Sequence, residues 1–252
     1  MHGRALTLLT FSLAACSLPS LDVDARYGEY SIDGSLLIAS SGSFSASNNL
    51  ETLGLGDEEA TPSLAAQIKW GAPHLYISTQ ESNFSGTGIL EATLETDSGT
   101  ITAGSAVDSE LDFGLTSAIL TFDLVPGPWE FGLGVGVSLI SIDARFQDLG
   151  SSETIETDEV LPVPGVALSL GFGLGPIAVQ LIASGVSVSI DDGDVTYYDA
   201  DLMGRWDFGR FGGSLLFGWR EADYDIEYDD GTDQVAIDMK YSGPYVGLRI
   251  SF

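Results

Sequence analysis

Positive charge is scarce in this chain. Nine Lys and Arg stand against 37 Asp and Glu in 252 residues, a net charge of −28. Nucleic-acid phosphates are bound by clustered Lys and Arg, so no nucleic-acid partner is expected. Cysteine occurs once, at Cys16, which leaves no disulfide framework and no thiolate metal site. Histidine occurs twice, at His2 and His74. Ser-His and Asp-His hydrolytic sites at an exposed rim need a histidine there. His74 follows the turn Gly71-Ala72-Pro73 instead. No catalytic residue is therefore assigned, and the chain is expected not to be an enzyme.

A long apolar helix is missing as well. Residues 160–190 carry no charge and match a bilayer in length, but they hold Pro162, Pro164 and Pro176 and five glycines. Their pattern has period two. Val166, Leu168, Leu170, Phe172 and Leu174 interleave with Ala167, Ser169, Gly171 and Gly173. Alternation of this kind is the mark of strands, here two of them joined at Gly175-Pro176.

The same alternation recurs. Trp129, Phe131, Leu133, Val135, Val137 and Leu139 form one face of a strand, with Glu130, Ser138 and glycines on the other. The C-terminal segment alternates Val246, Leu248, Ile250 and Phe252 with Gly247, Arg249 and Ser251. An apolar face beside a small or polar one suits a strand with lipid outside and a crowded lumen inside. Tight turns at Gly71-Ala72-Pro73, Pro126-Gly127-Pro128, Gly175-Pro176 and Gly209-Arg210 alternate with longer polar connections. The fold expected is all-β: an antiparallel up-and-down transmembrane barrel of about ten strands, with eight or twelve as the alternatives. The barrel is expected over residues 30–252, the closing strand being the part presented to the barrel-assembly machinery. Aromatic residues near the short turns, including Trp70, Tyr76, Trp129, Trp206 and Tyr245, read as a periplasmic girdle.

Residues 1–15 read as an export signal: a basic start at Arg4, a short apolar stretch, then Leu13-Ala14-Ala15-Cys16. The last four residues are similar to a lipobox, which makes Cys16 the acyl acceptor. Ordinary cleavage near Ala14 or Ala15 is the other reading. Residues 16–29 are then a periplasmic linker.

Leu53-Gly54-Leu55-Gly56-Asp57, the segment from Val107 to Phe113 and the closing strand resemble a group of small bacterial outer-membrane barrels without an assigned activity, in general type like OmpA and OmpW. In that group the Leu-Gly-Leu motif continues with two acids, whereas here Gly56 precedes Asp57 and Glu58. The resemblance implies a Gram-negative outer-membrane location and no substrate.

Counting inward positions strand by strand gives a lumen charge network of Lys69, Asp108, Glu110, Asp112, Glu130, Asp199, Asp201, Arg205, Arg220 and Arg249. Buried charges must be paired, so these residues imply an ion-paired, filled interior. The acidic loops, with Asp191, Asp192 and Asp194 as weak cation ligands, lack the spacing of a Ca²⁺ loop. No cofactor is expected. The function expected is a monomeric structural or surface barrel contacting lipid and lipopolysaccharide. A narrow channel for small solutes or cations is the alternative, and a membrane-embedded hydrolase without a histidine-based site is third.

Overall fold

The computed structural model describes residues 19–40, 47–56, 58–96, 99–125, 128–151, 153–190, 193–208, 212–229 and 233–252. The strands are β1 (Ser20–Ser40), β2 (Asn48–Asn49), β3 (Glu59–Lys69), β4 (Pro73–Ile89), β5 (Leu94–Thr96), β6 (Gly99–Ile101), β7 (Ala106–Asp123), β8 (Trp129–Asp148), β9 (Thr154–Leu174), β10 (Ile177–Ile190), β11 (Gly193–Phe208), β12 (Gly213–Asp229) and β13 (Asp233–Ser251). Ten of these are barrel staves, each antiparallel to its neighbours. β13 pairs back onto β1 and closes the sheet. The two-residue β2 adds to the edge of β1, and β5 and β6 form a separate hairpin. Closure removes the exposed sheet edge, the condition for crossing hydrocarbon with strands.

β1 begins at Ser20, so residues 20–29 belong to the barrel wall and not to a linker. The clue is in Leu21-Asp22-Val23-Asp24-Ala25-Arg26-Tyr27, a period-two strand with acids and Arg on one face. Cys16 lies outside the described residues.

The short turns share one end. Trp70 N–H donates to Pro73 O across Gly71, whose φ is +87°. Leu174 pairs with Ile177 across Gly175, at φ +61°. Only glycine takes such angles without strain. Both termini of the barrel lie at this end, since Leu21 and Phe252 exchange backbone hydrogen bonds.

Two wall ladders stop early, each beside proline. The β3–β4 ladder ends at Ser63↔Gln80, one residue past Pro62. The β9–β10 ladder ends at Val166↔Gly185, just before Pro164 and Pro162. Proline has no N–H to offer a neighbouring strand. Above the first break, the segment 47–56 closes the wall. Ile89 N–H donates to Thr52 O, and the N–H groups of Glu91 and Ala92 donate to Asn48 Oδ1. Gly86 and Gly88 let this segment lie flat on β4, because a Cβ there would sit 2.0 Å from Gly54 O or 2.1 Å from Thr52 O.

Side-chain polarity inverts along the barrel axis. Near the short turns the outer face is apolar: Val23, Leu64, Leu133, Leu170, Trp206, Phe217 and Leu248 are all exposed. Further up, the outer face is acidic, with Glu29, Asp33, Glu81, Asp143, Asp223, Asp225 and Asp238 exposed. Inside, the order is reversed: charged residues below and apolar residues above. Hydrocarbon wets the lower outer surface and water the upper one, so the same strands exchange faces where the solvent changes.

Candidate functional site

The lumen is the candidate site. Its lower layer is a lattice of four buried carboxylates (Asp22, Asp24, Asp199, Asp201) and three buried guanidinium groups (Arg26, Arg220, Arg249), leaving one excess negative charge. Arg249 on β13 forks onto Asp24 of β1, Nε to Oδ1 at 2.6 Å and Nη2 to Oδ2 at 2.8 Å. The two residues are cross-strand partners. Arg26 joins Asp24 at 2.8 Å to Asp201 of β11 at 2.7 Å. Asp201 also accepts from Tyr245 Oη at 2.6 Å and Tyr76 Oη at 3.0 Å. Arg220 on β12 forks onto Asp199 at 3.0 and 2.8 Å and donates to Gln80 Oε1 of β4 at 2.9 Å. The Arg26 guanidinium lies 4.9 Å from the Tyr245 ring centroid, a cation–π contact. The Arg26–Asp201, Tyr76–Asp201 and Arg220–Gln80 bonds cross the lumen rather than run along the wall.

Above the lattice a row of rings crosses the barrel. Tyr30 stacks on Tyr241 at 4.7 Å, Tyr241 meets Phe113 at 5.4 Å, Phe113 meets Tyr224 at 5.4 Å, and Tyr224 stacks on Tyr197 at 5.3 Å. Phe113 comes from β7, which is not a neighbour of β12 or β13 in the wall. Tyr197 ties the row to the lattice through Asp199 at 3.3 Å and reaches Ser138 at 3.0 Å. Over the rings lie Leu36, Phe146 and Ile155 from the wall, with Leu50, Leu53, Leu55 and Leu94 entering from the segments above β1 and β4. A cavity of about 30 Å³ lies among Leu36, Leu50, Leu55 and Phe146.

Among the residues expected in the lumen, Asp199, Asp201, Arg220 and Arg249 lie in the lattice. Lys69 and Glu130 pair at 2.8 Å near the short turns, and Arg205 sits half-buried beside Asp207 at 2.9 Å. Asp108, Glu110 and Asp112 are not lumen residues. They point outward from β7, while the alternate residues Val107, Ser109, Leu111, Phe113 and Leu115 are buried. The expectation extended the lipid-facing rule above the membrane, where the outer surface is wet. Tyr76 and Tyr245 likewise leave the girdle for the lattice, whereas Trp70, Trp129 and Trp206 stay outside. Val246, Leu248, Ile250 and Phe252 face outward on the closing strand. Asp22, Asp24, Arg26 and Gln80 were missed, three of them because β1 starts ten residues earlier than expected. Asp191 and Asp192 lie outside the described residues, and Asp194 is exposed at the outer end of β11, away from the short turns. Among the described residues no group of three or more His, Cys, Asp or Glu is arranged to hold a metal ion.

A closed antiparallel barrel with an apolar belt outside and paired charges inside defines the class: a transmembrane β-barrel of the bacterial outer membrane. Neither a family model nor a curated protein matches the sequence. The fold does have a solved counterpart. The outer-membrane protease OmpT of Escherichia coli aligns over 92% of this chain and 97% of its own, at 10% identity and a TM-score of 0.60. Neisserial surface protein A aligns over 93% and 97%, at 14% identity and a TM-score of 0.35. The translocator domain of the autotransporter NalP from Neisseria meningitidis covers 92% and 88%, at 10% identity and a TM-score of 0.40. At such identity the likeness to OmpT concerns the fold alone.

Proposed function

We propose that this protein is a closed surface barrel, anchored by its apolar belt and presenting acidic strand ends and loops outside the cell. The observation that carries the reading is the pair of layers across the lumen, one of ion pairs and one of stacked rings. A ten-strand barrel is narrow enough for side chains to fill. Lipidation at Cys16, a monomeric state, lipopolysaccharide contact and assembly through the closing strand belong to the same reading. So does the absence of histidine-based hydrolysis. His74 is buried on the inward face beside the 71–73 turn, across the strand pair from Lys69.

The acidic outer rim favours a second reading, a narrow cation-preferring channel. Planar-bilayer recording separates the two. A closed barrel gives no unitary conductance above leak at any holding potential, while steady cation-selective openings would replace the first reading with the second.

A further inference from the structure

Two ladder breaks divide the upper wall into two panels. The first is β4, β7, β8 and β9, paired in turn as far as Ile89↔Ala106, Val107↔Asp148 and Gln147↔Thr154. The second is β10 to β13 with β1 and β3, joined through the β13–β1 seam as far as Ser40↔Asp233. Between the panels, backbone pairing stops at Ser63↔Gln80 on one side and Val166↔Gly185 on the other. Below these rows the wall is continuous, and the ion-pair lattice lies there: Arg26 pairs with Ser63, and Asp199 with Ser184. Proline placement keeps the breaks open. Gly173 N–H donates to Pro128 O and the β8–β9 register runs on without a bulge, so even-numbered residues of β9 turn their backbone groups toward β10. Pro162 and Pro164 hold two of those positions and have no N–H to give. On β3, Trp70 N–H donates to Pro73 O, which turns even-numbered residues, Pro62 among them, toward β4.

Above the breaks the panels meet chiefly through side chains. Phe113 of the first packs against Tyr224 and Tyr241 of the second. The cavity of about 30 Å³ lies on the plane between them, with Leu111, Ile142 and Phe146 on one side and Leu36, Leu50 and Met239 on the other. The two breaks are fastened unequally. At β3–β4 the segment 47–56 straps the panels together. It stays paired to β1 through Asn48 and Asn49, while Thr52 O and Asn48 Oδ1 accept from the N–H groups of Ile89, Glu91 and Ala92 in the first panel. The Thr61–Ser82 hydroxyl pair, at 2.8 Å, joins the same two strands beneath the strap. At β9–β10 no such segment crosses among the described residues, and no backbone hydrogen bond spans the break. That side is held by the Ser138–Tyr197 hydroxyl contact at 3.0 Å and by Leu161 and Val186, which pack on the core from either panel.

We propose that the outer half of the barrel is a two-panel clamp. The closed belt is its base, the strapped β3–β4 break its hinge, and the β9–β10 break the side that parts. Parting breaks no backbone ladder, since none spans that side, and separates only side chains. It turns the apolar faces of both panels toward the outer medium. The lattice below stays in place, so the motion needs no open pore.

Thiol labelling of the full chain in detergent tests the clamp. Val163→Cys, Ala222→Cys and Thr61→Cys are treated singly with a water-soluble maleimide, and each site is read by peptide mass spectrometry. All three positions are buried. Ala222 lies between intact ladders, Thr61 at the strapped break and Val163 at the free one. Val163→Cys should react at least several-fold faster than the other two. Adding Pro162→Val and Pro164→Val, which return the missing N–H groups, should slow it toward their rate. Equal rates at Val163→Cys and Ala222→Cys overturn the proposal, as does a Val163→Cys rate that the proline replacements leave unchanged. Thr61→Cys reacting as fast as Val163→Cys also overturns it, because the strapped side would then be no hinge. Should the proline replacements fail to give a heat-modifiable barrel, the comparison among the three cysteines decides alone.

Discussion

Arg220 and Arg205 are both inward-facing arginines with a carboxylate partner, yet their surroundings differ. Arg220 is 4% exposed and meets Asp199 with two parallel hydrogen bonds. Arg205 is half-buried near the short turns, with a partner, Asp207, that is 41% exposed. Removing one member of a buried pair leaves a charge without water or counterion, which costs ~3–5 kcal/mol. A wetted pair is worth ~0–1 kcal/mol. Arg220→Met should therefore lower unfolding free energy in detergent by ~3–5 kcal/mol, and Arg205→Met by under ~1 kcal/mol. Adding Asp199→Asn to Arg220→Met should recover part of the loss. Equal losses for the two single variants in urea titrations would mean the lattice does not hold the staves together. A water-filled pore would give that result, its arginines being solvated alike.

At the scale of the strand, the segment 47–56 is held as much by absent side chains as by present ones. Leu53 is fully buried, and the backbone of 52–54 lies directly on Gly86 and Gly88. Gly88→Val should push this segment off the wall, at a cost of ~1–3 kcal/mol from overpacking. Cleavage after Glu51 by a Glu-specific protease should become rapid, with the ten-strand barrel retained. Slow cleavage like that of the parent chain would show that the segment has another seat. These glycines also mark where the sequence was hard to read. Strand number, the closing strand and four members of the buried lattice (Asp199, Asp201, Arg220 and Arg249) were legible from period-two patterns. The faces of β7 above the membrane were not. Alternation tells which residues share a side but not which side, and the solvent outside sets that. Asp112 and Leu111 carry the same pattern whether lipid or water lies beyond them. In β1 the pattern at Asp22, Asp24 and Arg26 was legible, and only the placing of the strand start hid it.

For the whole molecule the net charge of −28 is distributed with a direction, since the exposed acids of the strands crowd the end that projects from the membrane. Asp238 stands in that projecting part of β13. Its carboxyl is held above the ordinary carboxylate range by partial burial first, then by the neighbouring charges of Asp225, Asp223 and Asp33. A carboxyl with a raised folded-state pKa binds its proton more readily folded than unfolded. Its stabilising protonation is complete at low pH and is lost as pH rises through the raised value. Asp148, in the outer turn, behaves in the opposite sense. The Gly150 N–H and the Ser151 hydroxyl hold it below the ordinary range, so its contribution fades only in stronger acid. Above the ordinary carboxylate range the first effect acts before the second. The unfolding temperature in detergent should rise as pH falls from neutrality toward that range. It should also rise at pH 7 when salt is raised to about 1 M, where the screening length is about 3 Å. Asp238→Asn should flatten the pH profile and leave the response to salt largely in place, because the other acids of the projecting end remain. A profile that falls across that window, or a salt response of the wrong sign, would mean that bound cations already neutralise that end. The repulsion inferred from the crowding of Asp33, Asp223, Asp225 and Asp238 would then be absent in solution.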